Sequence, residues 1–230
     1  MFMASNLQQT VALLREAGTG FAPSVLASSL GVEDMVLLDL IARENIPVGV
    51  FTLDTGRLPQ ETYDLLQLAR ARYRIPVAIY APENGDVENY TAAHGPNGFY
   101  ESVALRQECC GFRKVKPLKR ALAGKRSWVT GLRRAQSAGR AEVPFKEWDA
   151  ANNLHKFSPL AEWSDQDVWD YIRDHDVPVN ALHAKGYPSI GCAPCSRAIA
   201  PGEDIRAGRW WWENPEFSEC GLHPHAKAAS

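Results

Sequence analysis

The chain alternates short apolar segments with longer amphipathic ones, and this alternation constrains its fold more than any other feature. An amphipathic helix at about residues 7–17 is followed by apolar segments typical of buried parallel strands. Between them, "EDMVLLDLIAREN" and "PQETYDLLQLARARY" have helical periodicity and carry acidic residues or a proline in their first turns. The pattern predicts a doubly wound, mostly parallel α/β sheet that binds ligands at the carboxyl ends of its strands. The predicted strands are 24–30, 47–53, 75–81 and 126–132, and the predicted helices are 33–45, 59–73 and 114–124.

The last third of the chain departs from this alternation. "LHKFSPLAEW" (154–163) is expected to be extended. In "SDQDVWDYIRDH", Ser164 can cap a helix that carries Asp167 three residues later. From Tyr187 onward the chain is rich in Gly, Pro, Trp and Cys and has little periodicity. This predicts an irregular segment that is held by a ligand or a partner surface and not by a core of its own.

Length and composition indicate one domain that is neither secreted nor embedded in a membrane. The 230 residues are 45% hydrophobic, which is enough for one substantial core. "MFMASNLQQT" has no basic segment before an apolar run, so no signal peptide is expected. The longest apolar stretch, "MVLLDLIA", contains Asp39 and is too short to span a membrane. Five cysteines without an export signal favour reduced thiols in the cytoplasm, used as ligands or nucleophiles.

The net charge of −2 hides a strong asymmetry along the sequence. Residues 113–140 carry ten basic side chains and no acidic one, so the rest of the chain has 15 basic and 27 acidic residues. Such a segment is either a solvated basic face or part of a pocket for a multiply anionic small molecule or cluster. A nucleic-acid partner is not expected, because the chain as a whole is acidic and has no recognisable nucleic-acid-binding motif.

Two loops at the ends of predicted strands are suited to a nucleotide. In "SSLGVED" (28–34), small residues precede a helix, where backbone N–H groups and the helix dipole favour an anion. In "LDTGRL" (53–58), Asp54 and Thr55 can hydrogen-bond a ribose or base, and Arg57 can meet a phosphate. Neither loop is a Walker A motif, and "GTG" near the first helix is not a dinucleotide fingerprint. The alternative is that both are ordinary strand-to-helix turns.

Four of the five cysteines form two pairs that are far apart in sequence. Cys109 and Cys110 are adjacent in "ECCGFRK", where a disulfide between them would be strained, and Cys192 and Cys195 form the C-x-x-C of "GCAPC". Four thiolates suit either zinc or an iron–sulfur cluster. Directly adjacent ligands fit better on different irons of a cubane than on one zinc, so the spacing favours [4Fe–4S] while zinc stays open.

Cys220, the fifth cysteine, stands in the C-terminal sequence "ECGLHPH" and is a candidate nucleophile. Glu219 should raise the pKa of its thiol, whereas His223 and nearby cations should lower it. Arg206 and Arg209 in "EDIRAGRWWWE" can supply that positive charge. The alternative is an inert surface thiol.

Taken together, these motifs resemble the assimilatory adenylyl-sulfate (APS) reductases, in the family that also holds the phosphoadenylyl-sulfate (PAPS) reductases. The resemblance runs from Ser28 to His223 and rests on "CCGFRKVKPL", "GCAPC", "RAGRWWWE" and "ECGLH", with "SSLGVED", "LDTGRL" and "GLRRAQSAGR" as substrate-site segments. One position departs from the pattern, since Leu30 stands where some relatives have Ser in the phosphate loop.

The resemblance implies a fold of the adenine-nucleotide α-hydrolase type and a thioredoxin-dependent oxidoreductase. Cys109, Cys110, Cys192 and Cys195 would bind one [4Fe–4S] cluster. Cys220 would attack the sulfur of APS and displace AMP, and a thioredoxin or glutaredoxin thiol would then release sulfite from the S-sulfocysteine.

The resemblance also implies roles for other residues. Lys114, Arg206 and Arg209 would hold sulfate and phosphate oxygens, and His223 would stand with Cys220 among the catalytic residues. Residues 1–212 would form the nucleotide-binding and cluster-binding reductase domain, and residues 213–230 a mobile catalytic tail. The residues expected to bind the nucleotide are Ser28, Ser29, Gly31, Glu33, Asp34, Asp54, Thr55, Gly56, Arg57 and Arg133.

Three other functions remain as alternatives. A PAPS reductase is the nearest, although those relatives generally lack the cluster cysteines. A zinc-stabilised nucleotide-binding module without catalysis would use the same four thiols. An ATP pyrophosphatase of the same fold would need a fuller Ser-Gly-Gly-x-Asp-Ser loop, which "SSLGVED" does not supply. The sequence leaves the oligomeric state open and allows a homo-oligomer.

Overall fold

The computed structural model describes residues 2–136 and 140–214. The chain is organised as two compact units. The first consists of the residues up to Thr52 together with 60–78 and 122–183, and the second of 53–59, 79–121 and the residues from Ala184 onward. The sequence did not indicate this division. In the part of the chain that the structure describes, no helix combines the length and apolar character needed to cross a membrane.

A six-stranded sheet, most of which belongs to the first unit, has the strand order β3-β2-β1-β4-β6-β5. The β1–β2, β1–β4 and β4–β6 pairs are parallel, and the β5–β6 pair at one edge is antiparallel. The predicted doubly wound, mostly parallel sheet is therefore confirmed. The strands are β1 (Ser24–Ala27), β2 (Val48–Leu53), β3 (Val77–Tyr80), β4 (Ser127–Val129), β5 (Lys146–Asp149) and β6 (Leu154–Phe157).

Seven α-helices accompany the sheet in the described residues. The three helices predicted after the first one are all present, with ends that differ by a few residues, and the helix capped by Ser164 has the predicted capping box with Asp167. The alternation did not predict α4, the separate helix α5, or strand β5. The helices are α1 (Phe2–Arg15), α2 (Val32–Arg43), α3 (Gln60–Tyr73), α4 (Asn84–His94), α5 (Val103–Cys110), α6 (Lys116–Leu122) and α7 (Asp165–Asp174).

Strand β1 is shorter than predicted, because the chain turns sharply after Ala27. Leu30 has a φ of 62°, in the left-handed region that a strand cannot use. The Ser28 hydroxyl accepts a hydrogen bond from the Leu30 N–H at 3.2 Å, which stabilises this turn. The three residues that periodicity assigned to the end of the strand thus form a loop ahead of α2.

The core of the first unit is built around α2. Its residues from Met35 to Ile41 are all buried, and α7 packs against it. Asp39 is the charged exception, and its carboxylate accepts hydrogen bonds from Arg43 Nε at 2.6 Å and from the Tyr171 hydroxyl at 2.8 Å. These partners allow a carboxylate to be buried in an apolar helix. The helix dominates the core because it is apolar on nearly every face.

In the second unit, α5 and α6 are joined by a π-helical turn, Gly111–Val115. A single π turn inserted between α-helical segments is frequent at functional sites. The irregular segment after Ala184 is held by a short 3₁₀ turn at Ala193–Cys195 and by an antiparallel bridge between Ser196 and Arg209. The sequence predicted this irregular character.

Candidate functional site

The loops after β1 and β4 lie where the strand order of the sheet reverses, since β1 has β2 on one side and β4 on the other. Ligands of open α/β sheets bind at this point, beyond the carboxyl ends of the strands. Asp34 joins the two loops: its carboxylate accepts from the Ser29 N–H at 2.6 Å and the Ser29 hydroxyl at 2.7 Å. A Cβ on Gly131, in the β4 loop, would lie 2.5 Å from Asp34 Oδ1, so only glycine fits there.

Burial perturbs the Asp34 carboxyl group. Desolvation, assisted by the neighbouring charge of Glu33, raises its pKa from the usual 3.8 to about 6, although the hydrogen bonds from Ser29 and Gly131 act in the opposite direction. An aspartate with such a pKa, in the first turn of the helix that follows a central strand, is typical of a functional site. The structure therefore joins two of the predicted residues, Ser29 and Asp34, by hydrogen bonds.

Arg133, in the loop after β4, is buried, and its guanidinium hydrogen-bonds to other residues of the protein. Its Nε and Nη2 donate to Glu33 Oε1 at 3.0 and 2.8 Å, its Nη1 donates to the Trp163 carbonyl at 3.1 Å, and Nη2 also contacts Asp165. Glu33 accepts a further bond from Gln136 Nε2 at 2.9 Å. Two predicted residues, Glu33 and Arg133, are thus brought together as an ion pair that shapes the edge of the loop.

The loop after β2 belongs to the second unit, and its side chains turn toward the cysteines. The Gly56 N–H donates to Asp54 Oδ1 at 2.8 Å, and Gly56 has a φ of 70°, which favours glycine. Thr55 is almost fully buried, and its hydroxyl accepts from the Arg57 N–H and from Cys192 Sγ, both at 3.2 Å. The structure therefore places Thr55, expected at a nucleotide, in contact with a cysteine thiol.

All four paired cysteines open onto one pocket within the second unit. Cys109 and Cys110 come from the end of α5, and Cys192 and Cys195 from the 3₁₀ turn. None of the four is in a disulfide. The C-x-x-C turn is tied to the loop after β2 because the Ala193 N–H donates to the Arg57 carbonyl at 2.7 Å. The other side chains that line the pocket are Arg57, Phe99, Arg106, Arg113, Lys114, Pro194 and Trp210.

Three of the pocket thiols, Cys109, Cys192 and Cys195, have pKa values that are shifted in different directions. Burial raises the pKa of Cys195 to about 12, with help from the negative charge of Cys192 and Cys110, and burial also raises the pKa of Cys109. Burial acts on Cys192 too, but Lys114, the Thr55 hydroxyl and two arginines outweigh it, so the pKa of Cys192 is lowered. Cations therefore favour a thiolate in a pocket whose burial opposes one.

The donor set of this pocket fits a metal group that takes thiolates. A metal ion relieves the mutual repulsion of buried thiolates, because it deprotonates each ligand and neutralises it. Trp210 Nε1 is buried at the pocket and has no hydrogen-bond partner among the described residues, which leaves an indole donor for a sulfur acceptor. Within residues 2–136 and 140–214, no three or more His, Cys, Asp and Glu side chains are grouped so that they could hold a single metal ion.

Of the five residues predicted for catalysis, the structure describes three. Lys114 lines the pocket, and Arg209 is buried with its guanidinium packed on Gly191, where a Cβ would lie 2.1 Å from Nη1. Arg206 is half-buried and accepts from the Arg209 N–H through its carbonyl at 2.8 Å. Cys220 and His223 lie outside the described residues, as does the predicted 213–230 tail apart from Glu213 and Asn214.

Sequence reasoning missed two arginines of the pocket as site residues, Arg106 and Arg113. Arg113 donates from Nη1 to the Thr55 carbonyl at 2.6 Å, and Arg106 is only 1% exposed. The sequence did contain a signal for both. Arg106 precedes the Cys109–Cys110 pair by three to four residues, and Arg113 follows it by the same spacing, which places side chains on one face of a helix. The acidic partner of Arg106, Glu213, is 107 positions away and had no such signal.

Most of the sequence is similar to curated proteins named adenosine 5'-phosphosulfate reductase. It is 59% identical over 199 residues to a protein named adenosine 5'-phosphosulfate reductase from Allochromatium vinosum, covering 86% of this chain and 78% of that protein. A protein of the same name from Burkholderia cepacia is 51% identical over 221 residues, covering 96% of this chain and 88% of the relative.

Solved structures and a family model agree with these similarities. A phosphoadenylyl-sulfate (PAPS) reductase from Candida auris, solved as a phosphate complex, has a TM-score of 0.71 at 28% identity and covers 83% of this chain and 90% of its own. The FMN adenylyltransferase of Candida glabrata has a similar fold, with a TM-score of 0.60 at 14% identity, and the match covers 98% of this chain and 79% of its own. The model described as the phosphoadenosine phosphosulfate reductase domain matches residues 23–198. The chain therefore belongs to the phosphoadenosine phosphosulfate reductase family.

Proposed function

We propose that this chain reduces adenylyl sulfate (APS) to sulfite and AMP, in the assimilation of sulfate toward cysteine. The observation that carries the proposal is the convergence of four cysteines and Lys114 on one pocket, in a chain up to 59% identical to proteins named adenosine 5'-phosphosulfate reductase. The enzyme is an oxidoreductase that acts on sulfur and takes its electrons from a thiol donor such as thioredoxin or glutaredoxin.

Cys109, Cys110, Cys192 and Cys195 hold one [4Fe–4S] cluster in this proposal. The four cysteines of the pocket (two buried and two half-buried), the surrounding cations and the indole N–H of Trp210 support it, because the cluster thiolates would be anionic and their sulfurs would accept hydrogen bonds. The cluster supplies structure and electrostatic charge at the pocket, while thiols supply both electrons. Lys114 serves both the cluster ligands and the substrate in this proposal. Its positive charge lowers the pKa of Cys192 and also suits a bound sulfate.

Catalysis begins with the Cys220 thiolate as nucleophile. Its sulfur forms a bond to the sulfur of APS while the sulfur–oxygen bond to the phosphate breaks, so AMP leaves with the electron pair and an S-sulfocysteine remains. A thioredoxin thiolate then attacks Cys220 Sγ, which releases sulfite and forms a mixed disulfide. The second thioredoxin thiol resolves that disulfide and regenerates Cys220 while thioredoxin is oxidised.

Arg206 and Arg209 stabilise the charge that moves onto the phosphate of the leaving AMP, because guanidinium groups bind phosphate oxygens through paired N–H donors. His223 assists Cys220 in the C-terminal segment. The nucleotide is bound by the loops after the central strands. Their residues in this role are Ser28, Ser29, Gly31, Glu33, Asp34, Asp54, Thr55, Gly56, Arg57 and Arg133.

The proposal is tested by assaying sulfite and AMP with reduced thioredoxin, for the wild type and for Cys220→Ser. The wild type is expected to form both products in equal amounts, and the variant to bind AMP and retain its iron but to form no sulfite. Sulfite production by Cys220→Ser would refute the nucleophile. A colourless protein that contains zinc and no iron would refute the cluster and favour a zinc-stabilised binding module.

PAPS reduction is the second candidate, since the matching family model and the Candida auris structure both carry that name. The two functions are separated by comparing kcat/KM for APS and PAPS under identical conditions. A higher value for PAPS would assign the second activity. The four cluster cysteines favour APS, as the resemblance to cluster-bearing reductases implies.

A further inference from the structure

The most deeply buried ion pair of the second unit, among the described residues, joins Arg106 to Glu213, and the side chains are 1% and 4% exposed. The pairing is bidentate: Arg106 Nε donates to Glu213 Oε1 at 2.9 Å, and Nη2 donates to Oε2 at 2.7 Å. Two parallel charge-assisted hydrogen bonds fix both the distance and the orientation of the partners. Because a buried pair adds little stability over an apolar one, its main effect is geometric.

Arg106 also belongs to the cysteine pocket. It stands one helical turn before Cys110, whose side chain is within hydrogen-bonding reach of the guanidinium. The same guanidinium lies 5.0 Å from the centroid of the Trp210 ring, three residues before Glu213. One side chain thus contacts an expected cluster ligand on α5 and two residues of the C-terminal segment.

Glu213 follows Arg209 by four residues in the irregular segment after Ala184. The Glu213 N–H donates to the Trp210 carbonyl at 2.8 Å, and the bridge between Ser196 and Arg209 holds the segment at its other end. Cys220 follows Glu213 by seven residues, a distance that an extended chain spans in at most about 25 Å. Without the ion pair, Trp212 would be the last fixed residue, because its ring packs edge-on against the Tyr100 ring at 4.5 Å between centroids. The pair therefore fixes one further residue and, with it, the direction in which the chain continues.

We propose that Arg106 and Glu213 are positioning residues for sulfur transfer: their ion pair anchors the C-terminal segment to the cysteine-bearing helix and so limits where Cys220 can go. The inference rests on the proposed function and deepens it. A chain that continues from a fixed point in a fixed direction raises the effective concentration of the Cys220 thiol at the substrate, and a loosened anchor lowers it. The pair acts through Cys220 and does not itself touch the reacting atoms.

The test compares Glu213→Gln with Glu203→Gln. The control removes the charge of an Arg–Glu pair in the same segment, Arg197–Glu203, whose side chains are 36% and 34% exposed. Both proteins, with full cluster, are mixed with APS without a reductant, and the rate of SO₃ addition to the Cys220 peptide is followed by mass spectrometry. Glu213→Gln is expected to slow this step about ten-fold or more, with iron content and AMP affinity within about two-fold of the wild type. Glu203→Gln is expected to match the wild type.

Two further measurements keep the inference falsifiable. Limited proteolysis of the same proteins should cut the C-terminal segment of Glu213→Gln faster than that of Glu203→Gln, a readout independent of the reaction. If Glu213→Gln does not fold, Glu213→Asp replaces it. This variant keeps the negative charge but moves it one methylene away from Arg106, so it should also slow SO₃ addition.

A wild-type rate of addition in either folded Glu213 variant would overturn the inference, and so would a loss of iron in proportion to the loss of rate. If the wild type itself takes no SO₃ on Cys220, the proposed function fails, whereas the proteolysis result still reports on the anchor.

Discussion

Replacing Asp34 by asparagine should change how the stability of the protein depends on pH. Burial raises the pKa of Asp34 from 3.8 to about 6, so the folded chain holds a proton that the unfolded chain has released between these values. At about 1.36 kcal/mol per pH unit, the ionised carboxylate makes the folded state less stable by about 3 kcal/mol above pH 6. This contribution to stability is present below pH 3.8 and is lost as the pH rises through about 6.

The asparagine side chain would keep a carbonyl oxygen for the Ser29 donors but could not ionise, so the pH-dependent part should disappear. The assay is urea-induced unfolding of the wild type, Asp34→Asn and Asp64→Asn at intervals between about pH 4 and pH 7. Asp64 is exposed on α3, and its variant should follow the wild type. Across this range the wild type should lose about 2 kcal/mol relative to Asp34→Asn, because part of the 3 kcal/mol is already lost at pH 4. A constant difference, or a wild type that gains relative stability with rising pH, would refute the reasoning.

The other predictions concern the pocket and one helix cap. Lys114→Ala should lower kcat for APS about 100-fold while the iron is retained, because one charge that stabilises the transition state is lost. The control Lys119→Ala, at an exposed position, should leave kcat unchanged. Unchanged turnover in Lys114→Ala would contradict the role of Lys114. Cys192→Ser should lose iron and visible absorbance, because the hydroxyl is a poor ligand for a cluster, and full iron content would argue against the ligand set. Ser164→Ala should lower the free energy of unfolding by about 1 kcal/mol through loss of the N-cap of α7, measured by urea titration; no change would show that the cap is replaced by water.

Much of the fold was predictable because the apolar strand segments are continuous and each is followed by a helical period. The strand ends were not, since Leu30 is apolar in sequence but takes a left-handed backbone conformation that local periodicity does not encode. The π-helical turn at Gly111–Val115 was equally hidden, because π and α turns differ by one residue in hydrogen bonding and share similar side-chain patterns.

The candidate site was predictable where spacing alone determines chemistry. The adjacent cysteines and the C-x-x-C do lie on one pocket, as their pairing indicated. Contacts between segments that are distant in sequence were not predictable. Examples are the hydrogen bond between Cys192 and Thr55 and the ion pair between Arg106 and Glu213. A single sequence does not say which of many arginines meets which glutamate across the fold.

Mass spectrometry of the protein after mixing with APS in the absence of any thiol donor tests the central claim most directly. The account predicts that one SO₃ group is added per chain, that it is found on the peptide containing Cys220, and that reduced thioredoxin removes it as sulfite. Absence of the adduct from an iron-replete protein, or its presence on any other cysteine, would contradict the account.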